Sequence, residues 1–137
     1  NTGSGNIRAR EVEGELDFNT GSGNIEVEEA TITGPSSFNT GSGNARVILA
    51  SPLSHDLSLN TGSGKATLDF NGQEIEGVFY MKAGDKDDIS APFRFDKEYE
   101  EDRGWRGRKN YVKEAKVGSK DIRIRISTGS GRAVVRK

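Results

Sequence analysis

Apolar and polar residues alternate along most of this chain, and the alternation breaks at regular places. Leu16-Asp17-Phe18, Leu57-Ser58-Leu59 and Ile124-Arg125-Ile126 are apolar–polar–apolar triplets. A weaker copy, Ser36-Ser37-Phe38, keeps only Phe38 apolar. Each is followed by a glycine-rich hexapeptide and then by a second alternating pair. Those pairs are Ile7 and Ala9, Ile25 and Val27, Ala45 and Val47, Ala66 and Leu68, and Ala133 and Val135. Period-two alternation marks a strand with one buried face. No stretch carries a helical period, so the pattern predicts an all-β protein.

The hexapeptides are one motif written five times. NTGSGN begins at residues 1, 19 and 39, NTGSGK at 60 and STGSGR at 127. The steps are 18, 20 and 21 residues, followed by a gap of 67. A fixed period of this size signals stacked repeats. Within a period the alternation slips by one position at Arg10-Glu11 and again at Glu28-Glu29. Two polar residues that shift the phase predict a corner, where the chain bends and keeps its apolar side inward. Gly34-Pro35 and Ser51-Pro52 are further corner candidates.

One period therefore reads as strand, corner, strand, corner, strand, turn: one coil of a β-solenoid, or parallel β-helix. A single coil cannot bury its own apolar face, but stacked coils bury a continuous column. About six coils are expected, forming a single domain over residues 1–137. The long gap hides a worn copy, because Val12–Gly23 aligns with Ile75–Lys86, matching Gly14 to Gly77, Leu16 to Phe79, Phe18 to Met81 and Gly21 to Gly84. Residues 90–118 are expected to form an irregular or hairpin cap, with Phe93-x-Phe95 and Tyr111-Val112 on its arms. A cap of this kind keeps terminal strands from pairing with other chains. The chain opens in mid-repeat, on the turn itself, which suggests that its natural N-terminus lies further upstream.

The turn residues have expected structural roles. Glycine reaches positive φ without steric cost, and Thr suits the strand position before a bend. Stacked identical amides can form ladders. The candidate column is Asn1, Asn19, Asn39, Asn60 and Ser127. A second column is Asn6, Asn24 and Asn44, continued by Lys65 and Arg132.

Composition then narrows the function. The formal charge is -1, with 20 basic and 21 acidic residues. That balance argues against nucleic acid as a partner and against a polybasic membrane anchor. No apolar run is long enough to insert in a bilayer. Cysteine is absent, so disulfides and thiolate metal sites are excluded.

Candidate chemistry is sparse. Gly62–Thr67 lacks the upstream glycine and the Ser/Thr of a phosphate-binding loop, so it reads as a turn. Ser54, His55 and Asp56 are adjacent, but triads assemble in space and not in a row. Gly84–Asp88 is the one acidic loop suited to a cation, although a solvated turn is the plainer reading. Asp69, Glu74, Glu76 and Glu98–Asp102 offer carboxylates to a glycosidase without a spacing that picks out a pair. No catalytic residue, cofactor or metal site is assigned. Trp105, flanked by Arg103 and Arg106, is the candidate recognition cluster for a protein or a sugar. It serves equally well as part of the cap.

The repeated NTGSGNI-x-V, the near-20 period and the ending IRIRISTGSGRAVVRK resemble bacterial adhesin-type domains of unknown function, which are β-strand repeats often associated with the cell envelope. EIEGVFYMKAG and ISAPFRFDKEYEE are similar to the later part of such domains. The resemblance spans essentially the whole chain. It implies a β-solenoid outside the cytoplasm, at the cell surface or envelope, binding an unknown protein or glycan without catalysis. A β-helical carbohydrate-active enzyme and a structural or sensory envelope domain that binds another protein stay open as alternatives.

Overall fold

The computed structural model describes residues 1–102 and 109–137. The strands are β1 (Thr2–Ser4), β2 (Ile7–Arg10), β3 (Glu13–Gly14), β4 (Asp17–Ser22), β5 (Ile25–Ile32), β6 (Ser36–Ser42), β7 (Ala45–Leu49), β8 (Leu57–Thr61) and β9 (Ala66–Asp69). They continue with β10 (Gly77–Ala83), β11 (Ile89–Ser90), β12 (Lys97–Asp102), β13 (Lys109–Val117), β14 (Arg123–Thr128) and β15 (Ala133–Arg136). A 3-10 turn at Lys86–Asp88 is the only helical element among the described residues. The protein is all-β.

The strands form two sheets. The first runs β1-β4-β6-β8-β14-β10-β13-β12, and the second runs β2-β5-β7-β9-β15-β11, with β3 pairing the later part of β5. Every pairing is parallel except β10 with β13 and β13 with β12. The chain crosses from the first sheet to the second at each glycine-rich turn. This defines layers, in spatial order β1/β2, β4/β5, β6/β7, β8/β9, β14/β15 and β10/β11. The coarse expectation of parallel stacked strands therefore holds. What the structure presents is two sheets joined by turns, not a train of six uniform coils.

Register puts like residues over one another. Thr2, Thr20, Thr40, Thr61 and Thr128 are successive partners. Inside the first sheet, Phe18, Phe38, Leu59, Ile126 and Met81 form one column. Inside the second, Ile25, Ala45, Ala66, Ala133 and Ile89 form another. The facing columns make one apolar cluster, with Phe38, Phe79 and Leu68 fully buried. Burial of each such side chain contributes about 1.5–3 kcal/mol. The weak Ser36-Ser37-Phe38 copy fits here. Ser36 takes a core position, but its Oγ donates to Gly34 O (3.1 Å) and accepts from Leu16 N–H (3.0 Å), so the buried hydroxyl is satisfied.

The two phase slips are corners. Glu11 and Glu29 both stand at φ 54°, and the β5–β7 register shifts between Val27 and Ala30. The worn copy is a true structural equivalent, since Gly14 and Gly77 share φ 139°.

Three expectations need correction. The worn copy does not lie between Asn60 and Ser127 in the stack. β14 pairs with β8 on one side and β10 on the other, so the last layer fills a slot between the fourth layer and the worn one. The hairpin exists, but its first arm begins at Lys97. Phe93 and Phe95 precede that arm and pack on the core, with Phe93 4.5 Å from Phe79 and 5.5 Å from Phe95 between ring centroids. Lastly, positive φ occurs only at Gly14, Gly72, Gly77 and Gly118 among the described glycines, never in the TGSG turns. Those turns need glycine for a different reason.

Candidate functional site

The turn edge is the most specified part of the molecule. A Cβ added to Gly21 would lie 2.5 Å from Gly3 O, and one on Gly84 would lie 2.7 Å from Gly129 O. At Gly23, Gly41, Gly43, Gly62, Gly64, Gly129 and Gly131 the nearest atom is likewise the carbonyl oxygen of a glycine in the adjacent layer, inside 3.0 Å. The layers approach so closely that only hydrogen fits between them.

Three hydrogen-bond ladders run along this edge. Asn60 Nδ2 donates to Asn39 Oδ1 (2.8 Å), Asn39 Nδ2 to Asn19 Oδ1 (2.8 Å), and Asn19 Nδ2 to Asn1 Oδ1 (3.1 Å). Each amide also donates within its own strand, to Ser58, Ser37 or Asp17. Ser127 stands in register beside Asn60 but carries no amide to extend the row. In the second ladder, Asn24 N–H donates to Asn6 Oδ1, Asn44 N–H to Asn24 Oδ1 and Lys65 N–H to Asn44 Oδ1. The third ladder escaped the sequence reading. Thr20, Thr40, Thr61 and Thr128 donate from Oγ1 to the carbonyls of Gly5, Gly23, Gly43 and Gly64. The signal for it was the invariance of Thr at the second turn position, which strand propensity alone does not require.

The outer face of the second sheet carries rows of charge. Arg8 pairs with Glu26 and Arg10 with Glu28, both at 3.9 Å and well exposed. Arg46 follows Glu26 in register. Pairs of this kind contribute about 0–1 kcal/mol each, so they order the surface more than they hold the fold. On the first sheet, the Arg125 guanidinium lies 4.9 Å from the Tyr80 ring. A shallow depression there is lined by Val78, Tyr80, Glu114, Arg123 and Arg125. On the hairpin, Tyr99 is an exposed large apolar side chain, beside Tyr111 and Lys113.

The other candidates are dispersed. Asp56 Oδ1 accepts from Arg123 N–H (2.8 Å), tying the incoming last layer to the fourth, while Ser54 is exposed and His55 half-buried. The GSGK turn leads into β9, not a helix. In the acidic loop, Asp85 accepts from Asp87 N–H and Asp88 pairs with Arg132 at 3.8 Å. Asp69 accepts from Asn71 N–H, Glu76 pairs with Lys120 and Glu98 with Lys113. Among the described residues, no three His, Cys, Asp or Glu side chains gather as a metal site would require. Trp105, Arg103 and Arg106 lie outside the described residues. Among the described residues, no helix is long and apolar enough to cross a membrane.

Comparison with known proteins gives one match, to the family model described as Toastrack DUF4097, over residues 1–91. No curated protein and no solved structure matches the chain.

Proposed function

The chain belongs to the Toastrack DUF4097 family, whose function is unknown, and from that premise we propose that it is a non-enzymatic, adhesin-type binding module of the bacterial cell surface or envelope. In this reading the layers are about six windings of one β-solenoid, serving as a rigid rod that displays its outer faces. The supporting observation is the in-register rows on the second sheet: Arg8, Glu26 and Arg46 in one, Arg10 and Glu28 in the next. Their spacing is that of neighbouring strands, about 4.8 Å. Such a face offers repeated, equally spaced contacts to an extended ligand, a glycan or a protein strand. A flat charged lattice of this kind suits binding better than turnover, which calls for a few converging groups.

A glycan array tests the proposal, with Arg46→Glu and Trp105→Ala as the informative variants. Loss of a bound glycan class on Arg46→Glu supports the lattice face, and loss only on Trp105→Ala moves the site to the Trp105 cluster. New reducing ends released from a polysaccharide panel would overturn the non-enzymatic reading in favour of a carbohydrate-active enzyme. Fractionation of cells expressing the full gene tests the compartment, and a wholly cytosolic product would sink it.

A further inference from the structure

We propose that the outer face of the first sheet carries a separate binding site, centred on Arg123 and Arg125, that takes the carboxylate of a uronic-acid sugar in an acidic polysaccharide. The two arginines are alternate residues of β14, so they project from one face, and both are exposed. Arg8, Arg10 and Arg132 pair with Glu26, Glu28 and Asp88, but Arg123 and Arg125 make no ion pair among the described residues.

Arg125 is held in place. Its guanidinium lies over the ring of Tyr80, its register partner on β10, 4.9 Å from the centroid. A guanidinium resting on an aromatic face keeps its N–H groups for a further partner. Less side-chain freedom is then lost when a ligand binds. The backbone at Arg123 is fixed as well, because its N–H donates to Asp56 Oδ1 at 2.8 Å. That bond uses the main chain and leaves the guanidinium open.

Beside these cations lies a shallow depression of about 430 Å³, floored by Val78 and Tyr80 and bounded by Glu114. Val78, Tyr80 and Glu114 are half-buried. Glu114 is the register partner of Tyr80 on β13. It stands two strands from Arg125, about 10 Å away, and pairs with neither arginine.

This lining selects the occupant. Two guanidiniums call for an anion, and their planar forks match a carboxylate. An apolar floor with a few placed polar groups suits the C–H face of a sugar ring. Glu114 accepts from hydroxyl groups but repels further carboxylates. An acidic peptide would therefore set a second negative charge against it, whereas a uronic acid brings one carboxylate per ring and hydroxyls on its other carbons. Past Arg125 the same row continues through Ser58 and Ser37, whose hydroxyls line the path of neighbouring sugar units. The site is on the other sheet from the rows of Arg8, Glu26 and Arg46, so the two readings stand or fall separately.

Isothermal titration with oligomers of galacturonate, glucuronate and mannuronate tests the proposal, with their methyl esters and poly-glutamate as comparators. At least one uronate oligomer is expected to bind, and its methyl ester and poly-glutamate to bind roughly tenfold more weakly or worse. Arg123→Gln and Arg125→Gln, both at exposed positions, are each expected to weaken uronate binding roughly tenfold while the circular dichroism spectrum stays that of the folded chain. Arg46→Glu is expected to leave it unchanged. No saturable binding of any uronate oligomer, equal binding of the methyl ester, or undiminished binding by Arg125→Gln would overturn the proposal. Poly-glutamate binding as tightly as the uronates would assign the site to an acidic peptide and overturn it too. Loss on Arg46→Glu in place of Arg125→Gln would return the glycan to the second sheet, sinking this site and not the charged rows.

Discussion

Gly43→Ala isolates the reason for the turn. The new Cβ would sit on Gly23 O, 2.7 Å from Gly23 C and 3.1 Å from Asn24 Oδ1. Both oxygens are in use. Gly23 O accepts from Thr40 Oγ1 at 2.7 Å, and Asn24 Oδ1 accepts from Asn44 N–H at 2.8 Å. To admit the methyl group the second and third layers must part locally, stretching both bonds. Overpacking of this kind costs about 1–3 kcal/mol, and each weakened bond about 0.5–1.5 kcal/mol. Reduced freedom of the unfolded chain returns about 0.4–1 kcal/mol. The net loss is about 3 kcal/mol, a fall in Tm of roughly 10 °C for a chain of this length.

Urea unfolding followed by far-UV circular dichroism, with Gly5→Ala as the partner variant, measures it. The two glycines occupy the same place in the repeat and neither has positive φ. A conformational account therefore predicts equal effects, whereas the stacking account predicts a large effect at Gly43 and little at Gly5, whose added Cβ would meet only Thr2 Oγ1 at 3.4 Å. Equal losses, or a Gly43→Ala loss under about 0.5 kcal/mol, the level of an ordinary surface substitution, would refute the reasoning.

Other outcomes follow from the same geometry. Asn39→Ala removes donations to Asn19 and Ser37 and the acceptor of Asn60, and should cost about 1–3 kcal/mol by urea titration, whereas Asn1→Ala, at the ladder's end, should cost under about 1 kcal/mol. Phe38→Ala, fully buried and edge-on to Phe18 at 5.4 Å, should cost about 3–5 kcal/mol, with Phe18→Ala cheaper because that ring is already half in water. Arg8→Ala should change stability by less than about 1 kcal/mol at any salt concentration, as read by thermal melts at low and high ionic strength. Truncation after residue 120 removes the layer between β8 and β10, and exchange mass spectrometry should then show β10 and β13 deprotected while β4 to β7 stay protected.

Much of this architecture was legible because it is periodic. The strand–turn–strand period, the corners at Glu11 and Glu29, and the equivalence of Gly14 with Gly77 all came from the spacing of apolar residues and glycines. Stacking forces like residues into register, so repetition in the chain becomes adjacency in space. The spatial order of the layers was not legible. β14 carries the same alternation whether it is added at the end or slipped into a gap, and only pairing distinguishes the two. Phe93 and Phe95 misled for a related reason: period two is shared by a hairpin arm and by a linker that drops two rings onto the core. The candidate site was the least legible part, because charged rows such as Arg8, Glu26 and Arg46 acquire meaning only once their layers are aligned.

The inserted layer explains which copies of the turn stayed intact. A turn glycine is constrained by whatever lies on its first-layer side. Ser127–Arg132 is far along the chain yet keeps both glycines, because Gly129 and Gly131 press on Gly62 and Gly64 of the fourth layer. In the worn copy, Gly84 still faces Gly129 O and is retained, while position 86, aligned with Gly23, has become Lys at the start of a 3-10 turn and no longer follows the stacked path. Erosion of the motif therefore tracks contact, not distance along the chain.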